Sequence, residues 1–183
     1  MTTPTLFTER LCLRDFTIDD APAFFELRRD ESLMKYIGRP RAQSVQDALD
    51  LIIRVQQNAV HQDSINWAIS LRSQPNQLIG SIGYVSRKRE HHRAEIGYLL
   101  AAQYHRQGIM TEALQAVLRY GFDVWQLHSV EATIDPRNLA SAGILEKNGF
   151  TREALHREDF YWDGHFYDSA IYGLLASEFC SLK

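Results

Sequence analysis

The feature of the sequence that most constrains its fold is a change of hydrophobic period at Gly108. Before that residue, the stretch from Arg93 to Leu100 alternates as a β-strand does. After it, apolar side chains recur at helical spacing up to Trp125, at Ile109, Ala113, Val117, Tyr120 and Val124. The sequence therefore predicts a strand that leads through a short loop into a helix, with Gly108 in the first turn.

The start of this helix is a predicted anion site. The first N–H groups of a helix have no partner within it, and the helix dipole makes that end locally positive. A diphosphate is the favoured anion because it accepts several N–H bonds at once. Gly108 would keep a Cβ out of its way. The alternative, that Gly108 only eases the loop into the helix, fits the spacing equally well.

The rest of the pattern predicts one mixed α/β (α+β) domain over residues 1–183, with no linker, repeat or composition break. Asp163-Gly164 predicts the tight turn of a final hairpin. The order is β-α-α-β-β-β-α-β-α-β-β, a mixed sheet covered by helices. Further strands are predicted at 10–14, 65–71, 78–85, 129–134, 151–162 and 166–175, and further helices from 17, from 44 and over 138–148.

Composition and charge exclude several classes of function. A net charge of -3 over 183 residues argues against a general polyanion binder, so nucleic acid is not the expected partner. The two cysteines, Cys12 and Cys180, lie far apart and predict neither a disulfide framework nor a metal site. No apolar run reaches membrane-spanning length, and residues 1–4 lack the features of a signal peptide. A cytoplasmic protein without a metal is therefore expected.

Four motifs, in this order and spacing, carry a resemblance to a known family. They are EIGYLL at 95–100, QGIMTEA at 107–113, NLAS at 138–141 and LEKNGF at 145–150. Together they resemble the GNAT superfamily of N-acetyltransferases, and within it the RimJ/RimL-type branch that acetylates the N-termini of ribosomal proteins. The match covers about 9–175 and implies the GNAT-like fold, with a mostly antiparallel sheet.

The resemblance implies an acetyl-CoA site in three parts. The backbone of Tyr98, Leu99 and Leu100 would pair with the pantetheine amides, and Asn138 and Ser141 would contact the cofactor arm. The loop amides that would hold the pyrophosphate belong to His105, Arg106, Gln107, Gly108, Ile109, Met110 and Thr111. His105 stands where Gln or Arg is usual in the family, and Met110 where Gly or Ala is usual. Both departures are tolerable because these contacts are made by backbone N–H groups, and a side-chain role of His105 stays open.

Amine acetylation needs a neutral amine, a stabilised oxyanion and a proton for the leaving thiolate. The Glu and Tyr that many superfamily members use are replaced by Thr133 and Leu145. The resemblance implies that Ser141 donates to the sulfur instead. The alternative is that Ser141 only belongs to the helix start that Asn138 caps.

Three carboxylates are candidates for the general base. Glu95 lies on the strand expected to carry pantetheine, although it could equally be a structural carboxylate. Asp159 resembles an acidic catalytic position of the branch, and a one-residue ambiguity leaves Glu158 as well. The sequence leaves the choice between them open.

The predicted function is acetyl transfer from acetyl-CoA to a primary amine, by direct attack in a ternary complex. Roughly 10–15% of an α-amine is neutral at pH 7, against about 0.04% of a lysine side chain. A weak or water-relayed base therefore favours a protein N-terminus or a small molecule with a low amine pKa. The alternative is a CoA-binding protein without acetylation activity, because the usual Glu and Tyr are missing.

Two further stretches have open interpretations. The basic residues 86–93 (SRKREHHR) are expected to form a solvated turn, with a contact to the CoA 3′-phosphate or to RNA as the alternative. The aromatic side chains of the last hairpin predict either core packing or a subunit contact, which would make a homodimer. They are Tyr161, Trp162, Phe166 and Tyr167.

Overall fold

The computed structural model describes residues 3–60 and 64–181, so the outermost residues of the predicted domain lie outside the described part. Over these described residues, the fold consists of one sheet of eight strands and six α-helices. The strands are β1 (Leu6–Phe7), β2 (Leu11–Arg14), β3 (Ile65–Leu71), β4 (Gly80–Lys88), β5 (Arg93–Leu100), β6 (Ser129–Ile134), β7 (Thr151–Trp162) and β8 (His165–Leu175). The helices are α1 (Ala21–Arg29), α2 (Glu31–Met34), α3 (Val45–Val60), α4 (Ile109–Asp123), α5 (Leu139–Lys147) and α6 (Ala176–Ser181).

The strands lie in the order β1-β2-β3-β4-β5-β6-β8-β7. Every neighbouring pair is antiparallel except β5 and β6, which are parallel and are joined through α4. The predicted fold class and the predicted mostly antiparallel sheet are confirmed.

Each face of the sheet has its own core. The larger core joins the sheet to α4 and α5, and it contains Leu13, Trp67, Ile82, Val117 and Leu145. The smaller core joins the opposite face to α1 and α3, and it contains Phe24, Ile52, Ala68 and Leu99. Alternate residues of β5 therefore point to opposite sides, with Ile96 toward α4 and Leu99 toward α1 and α3.

Most predicted elements lie where the sequence places them. Asp163 and Gly164 both have positive φ (46° and 79°), as a two-residue type I′ turn requires, and Trp162 pairs with His165 across it. Gly149, with φ 88°, follows the end of α5.

Three short elements were not predicted: β1, α2 and α6. Two to six residues are too few to show a period. Local hydrogen bonds define the two helices: Asp30 accepts from the N–H groups of Ser32 and Leu33, and Glu178 accepts from that of Leu175.

Within residues 3–60 and 64–181, no helix is both long and apolar enough to cross a bilayer. The same residues contain no group of three or more His, Cys, Asp or Glu side chains arranged to hold a metal ion.

Candidate active site

The parallel strands β5 and β6 separate partway along their length. In the described sheet their pairing covers Arg93 to Glu95 and Ser129 to Glu131. Beyond Glu95, β5 keeps its pairing with β4, while β6 keeps its pairing with β8. The second half of β5 therefore borders an opening in the sheet.

Backbone groups of β5 face this opening at alternate residues. The N–H of Ala101 donates to the carbonyl of Ile79 at 2.9 Å, which directs Ala101 toward β4. The direction of the backbone N–H and C=O groups alternates along a strand. Those of Leu99 therefore also point to β4, whereas those of Tyr98 and Leu100 point to the opening. Tyr98, Leu99 and Leu100 were expected to pair with pantetheine. A backbone contact stays a prediction for Tyr98 and Leu100, whereas Leu99 uses its backbone groups to pair with β4.

The loop before α4 has the conformation of an anion-binding loop. Arg106 and Gly108 both have positive φ (60° and 75°), and Gly108 is the N-cap of α4. Ile109 and Met110 are buried in the core, so cofactor contacts at these two positions can come only from the backbone. A turn with alternating backbone handedness before a helix N-terminus gathers N–H groups around one point. The loop therefore fits a diphosphate.

The side chain of His105 holds the end of β5. Its Nε2 lies 2.9 Å from the carbonyl oxygen of Leu100. With Nε2 protonated, the ring donates to that carbonyl and leaves the Leu100 N–H free at the opening. This structural contact is the side-chain role that the sequence left open.

Arg10 ties the N-terminal segment to the phosphate loop. Its Nε donates to Glu112 at 2.6 Å, and its Nη1 donates to the carbonyl of Gln107 at 2.9 Å. A Cβ built on Gly108 would lie 3.4 Å from Nη2 of Arg10. Burial raises the pKa of Glu112, but hydrogen bonds from Thr8 and Arg10 outweigh it, so the pKa lies below its ordinary value. Sequence reasoning missed Arg10 because the contact spans about half the chain.

Asn138 and Ser141 meet β5 on the α4 side of the opening. The side chain of Asn138 caps α5 by accepting the N–H of Ser141 at 3.1 Å. Asn138, rather than the Ser141 hydroxyl, is therefore the capping group. The hydroxyl of Tyr98 lies 3.5 Å from the carbonyl oxygen of Ser141. Burial raises the pKa of Tyr98 to about 12 against a hydrogen bond with Ser141, so the phenol stays neutral.

Glu95 lies where β5 and β6 part, on the face of the sheet opposite α4. Burial is the main cause that raises its pKa above the ordinary value, and the charge of Glu131 adds to it. A hydrogen bond from Thr133 and the charges of Lys88 and Arg39 act in the other direction. Thr133, which stands where many superfamily members have a Glu, is thus a hydrogen-bond partner of Glu95.

Asp159 and Glu158 lie on a bulge of β7. Between His156 and Phe160 the pairing with β8 shifts register, and Glu158 takes a φ of 52°. Its N–H donates to Asp168 at 2.9 Å. The carboxylate of Asp159 lies 3.6 Å from His156 Nδ1. Both acidic residues are exposed, in contrast to the half-buried Glu95.

An aromatic wall on the Glu95 side consists of Tyr36, Arg137 and Tyr167, and the place of Arg137 between the two rings was not predicted from the sequence. Arg137 lies with its Cζ 4.9 Å from the ring centroid of Tyr167 and 5.9 Å from that of Tyr36. Asp135 accepts from Nε of Arg137 at 2.9 Å, and this bonding holds the pKa of Asp135 below its ordinary value. A Cβ on Gly38 would clash with the ring of Phe160, so the loop after α2 packs closely on β7.

The structure also shows where the basic residues 86–93 and the aromatic side chains of the last hairpin lie. Of residues 86–93, which were expected to form a turn, only 89–92 join β4 to β5; residues 86–88 extend β4 and Arg93 begins β5. The segment lies at the end of β5 opposite Gly108, which separates it from the phosphate loop. Arg93 and Lys88 pair with Glu131. In the last hairpin Tyr161 and Phe166 are 61% and 63% exposed, so core packing is wrong for these two.

Comparisons with known proteins agree with this geometry. The model of the Acetyltransferase (GNAT) domain matches residues 10–151. The uncharacterized N-acetyltransferase YoaA of Bacillus subtilis (strain 168) is 33% identical over 172 residues, 94% of this chain and 97% of that protein.

Two solved structures extend the likeness to the fold. A GNAT-family acetyltransferase from Bacillus anthracis has a TM-score of 0.85 at 29% identity, covering 96% of this chain and all of that one. RimJ of Mycobacterium smegmatis, in complex with CoA-disulfide, has a TM-score of 0.81 at 25% identity and covers 92% of this chain and 83% of its own. Because the domain match spans well over half of its residues, the chain belongs to the GNAT acetyltransferase family.

Proposed function

We propose that this chain binds acetyl-CoA in the opening between β5 and β6 and transfers the acetyl group to a primary amine. The observation that carries the proposal is the position of that opening beside the N-terminus of α4. Extended backbone at Tyr98 and Leu100 and the amides after Gly108 are the donor set that pantetheine and a diphosphate require. When bound, acetyl-CoA supplies the activated acetyl group.

The residues on the α4 side hold the cofactor and serve the departing sulfur. Amides of the loop from His105 to Thr111 bind the diphosphate, and Asn138 orients the start of α5. The Ser141 hydroxyl donates toward the thiolate. The hydroxyl of Tyr98 faces the backbone carbonyl of Ser141 at 3.5 Å, so Tyr98 helps to position Ser141.

Glu95 serves the amine from the opposite side of the sheet. Its pKa is raised mainly by burial, which makes it a better proton acceptor than an ordinary exposed carboxylate. Asp159 is the second candidate, but it is exposed and lies beside His156, which favours Glu95. The acceptor would approach between the loop after α2 and the last hairpin, along the wall of Tyr36, Arg137 and Tyr167.

The proposed acceptor class is an amine of low pKa, with a protein N-terminus first. A half-buried carboxylate acting through water is a weak base, which suits an amine that is already partly neutral. The structure of RimJ of Mycobacterium smegmatis, similar in fold, is a complex with CoA-disulfide, which supports the cofactor part of the proposal.

A thiol-release assay with paired peptides tests the acceptor. One peptide carries a free α-amine and an acetylated lysine, and its partner carries an acetylated α-amine and a free lysine. We expect release with the first peptide and little with the second. Release with neither peptide, nor with polyamines, aminoglycosides or amino acids, despite micromolar CoA binding, would instead make the chain a CoA-binding protein without acetylation activity.

A further inference from the structure

We infer that Arg10 is a positioning residue for the phosphate loop. It fixes the peptide group between Gln107 and Gly108 so that the Gly108 N–H points away from the guanidinium, toward the diphosphate. The inference rests on the proposed function, because it concerns the same site.

The geometry of one peptide group carries the argument. Nη1 of Arg10 donates to the carbonyl oxygen of Gln107 at 2.9 Å. In a trans peptide the carbonyl and the following N–H point in opposite directions. A carbonyl held toward Arg10 therefore turns the Gly108 N–H to the other side. The φ of 75° at Gly108 then sets the direction of the amides that begin α4.

Glu112 keeps the guanidinium in this orientation. Its two carboxylate oxygens accept from the backbone N–H of Arg10 at 2.9 Å and from Nε at 2.6 Å, and Thr8 also donates to it. Glu112 lies in the first turn of α4, so the carboxylate and the loop belong to one unit. The lowered pKa keeps Glu112 ionised, and its charge at the phosphate end of the helix is compensated by Arg10.

The contacts of Arg10 could instead serve only to anchor the N-terminal segment. A variant of Arg72 distinguishes this role from positioning of the phosphate loop. Nη1 of Arg72 donates to the carbonyl of Thr8 at 3.1 Å, and its guanidinium lies 5.8 Å from the ring centroid of Phe7. Arg72 thus holds the same segment as Arg10, but its side-chain contacts with Thr8 and Phe7 lie outside residues 105–111. It is a matched control.

The experiment measures the Kd of CoA by calorimetry for the wild type, Arg10→Met, Arg10→Lys and Arg72→Met, together with melting temperatures. We expect both Arg10 variants to bind CoA about tenfold more weakly, the effect of one misdirected hydrogen bond to a charged group. Lysine should not rescue, because an ammonium cannot donate in the fixed fork that joins Glu112 to Gln107. Arg72→Met should bind CoA as the wild type does, with a melting temperature lowered about as much as that of Arg10→Met.

Acetyl-CoA kinetics give the second readout. For Arg10→Met, KM should rise about as much as the CoA Kd, while kcat at saturating acetyl-CoA stays within about twofold of the wild type. Wild-type CoA affinity in Arg10→Met or Arg10→Lys would overturn the inference, and so would an equal loss in Arg72→Met. A wild-type protein that does not bind CoA at all would refute the proposed function itself.

Discussion

The two sides of the sheet opening are built in different ways. On the α4 side, most groups that would meet the cofactor are backbone groups of β5 and of the loop that follows it, where Arg10 holds Gln107 and His105 holds Leu100. On the Glu95 side, the groups are side chains from four separate parts of the chain. They are Tyr36, Glu95, Arg137 and Tyr167.

Cofactor binding therefore depends mainly on the backbone of the fold, whereas acceptor binding depends on individual side chains. A loop that binds through N–H groups tolerates most changes of side chain, and Met110, whose side chain is buried in the core, is an example. Side chains that converge from distant elements depend on each residue, so this side can vary its acceptor without altering the cofactor site. Substitutions on the two sides should therefore separate catalysis from cofactor binding.

The largest effect is expected from Glu95→Gln. If Glu95 is the base, kcat should fall about 10²–10⁴-fold while the Kd of CoA stays unchanged. The wild-type kcat/KM should also decline as pH falls through the raised pKa of Glu95, because protonation removes the base. The measurement is steady-state kinetics from about pH 5 to pH 9. Asp159→Asn is the matched comparison, and a loss confined to that variant would transfer the role to Asp159.

Gly108→Val is expected to weaken CoA binding on the α4 side and to leave the Glu95 side unchanged. A β-branched residue at a φ of 75° is strained, and its side chain would crowd Arg10, so the loop amides should leave their positions. Strain of this kind corresponds to a CoA affinity weakened by about 10–100-fold. Calorimetry on the folded variant measures it, with Gly108→Ala as a milder control. Wild-type affinity in Gly108→Val would place the phosphate site elsewhere.

Ser141→Ala should have a smaller effect, since a CoA-type thiolate is a tolerable leaving group without assistance. We expect kcat to fall about tenfold, the lower part of the range for a general acid. The melting temperature should hardly change, because Asn138 supplies the cap. Asn138→Ala should show the complementary result, with a melting temperature lowered by about 2–4 °C. Unchanged kcat in Ser141→Ala would assign the proton to water.

The smallest effect concerns stability and pH. The raised pKa of Glu95 means that the folded protein holds this proton more tightly than the unfolded chain does. The wild type should therefore lose stability as pH rises from the ordinary carboxyl pKa through the raised one. Glu95→Gln has no such charge and should melt about 1–2 °C higher than the wild type at pH 8, with little difference near pH 4. A variant less stable at pH 8 would show that the carboxylate is structural.

The strand–loop–helix unit around Gly108, the order of the main elements and the final hairpin could all be predicted from the amino-acid sequence. These features depend on contacts between near neighbours in the chain, such as helical spacing, the positive φ of a glycine and a two-residue turn. For the same reason the cap at Asn138 could be predicted from its position alone.

Which groups face the opening could not be predicted from the sequence, because it depends on how distant segments pack. The register of β4 and β5 turns Leu99 away from the opening and Tyr98 toward it, and no local pattern encodes that choice. Arg10 reaches Glu112, and Arg137 lies between Tyr36 and Tyr167, across separations that leave no periodic signal. The burial and the charge of Glu131 that raise the pKa of Glu95 likewise depend on neighbouring strands, and Arg39 of the loop after α2 acts in the opposite direction. Such contacts arise from how whole elements pack, which is why they become visible only once the sheet is assembled.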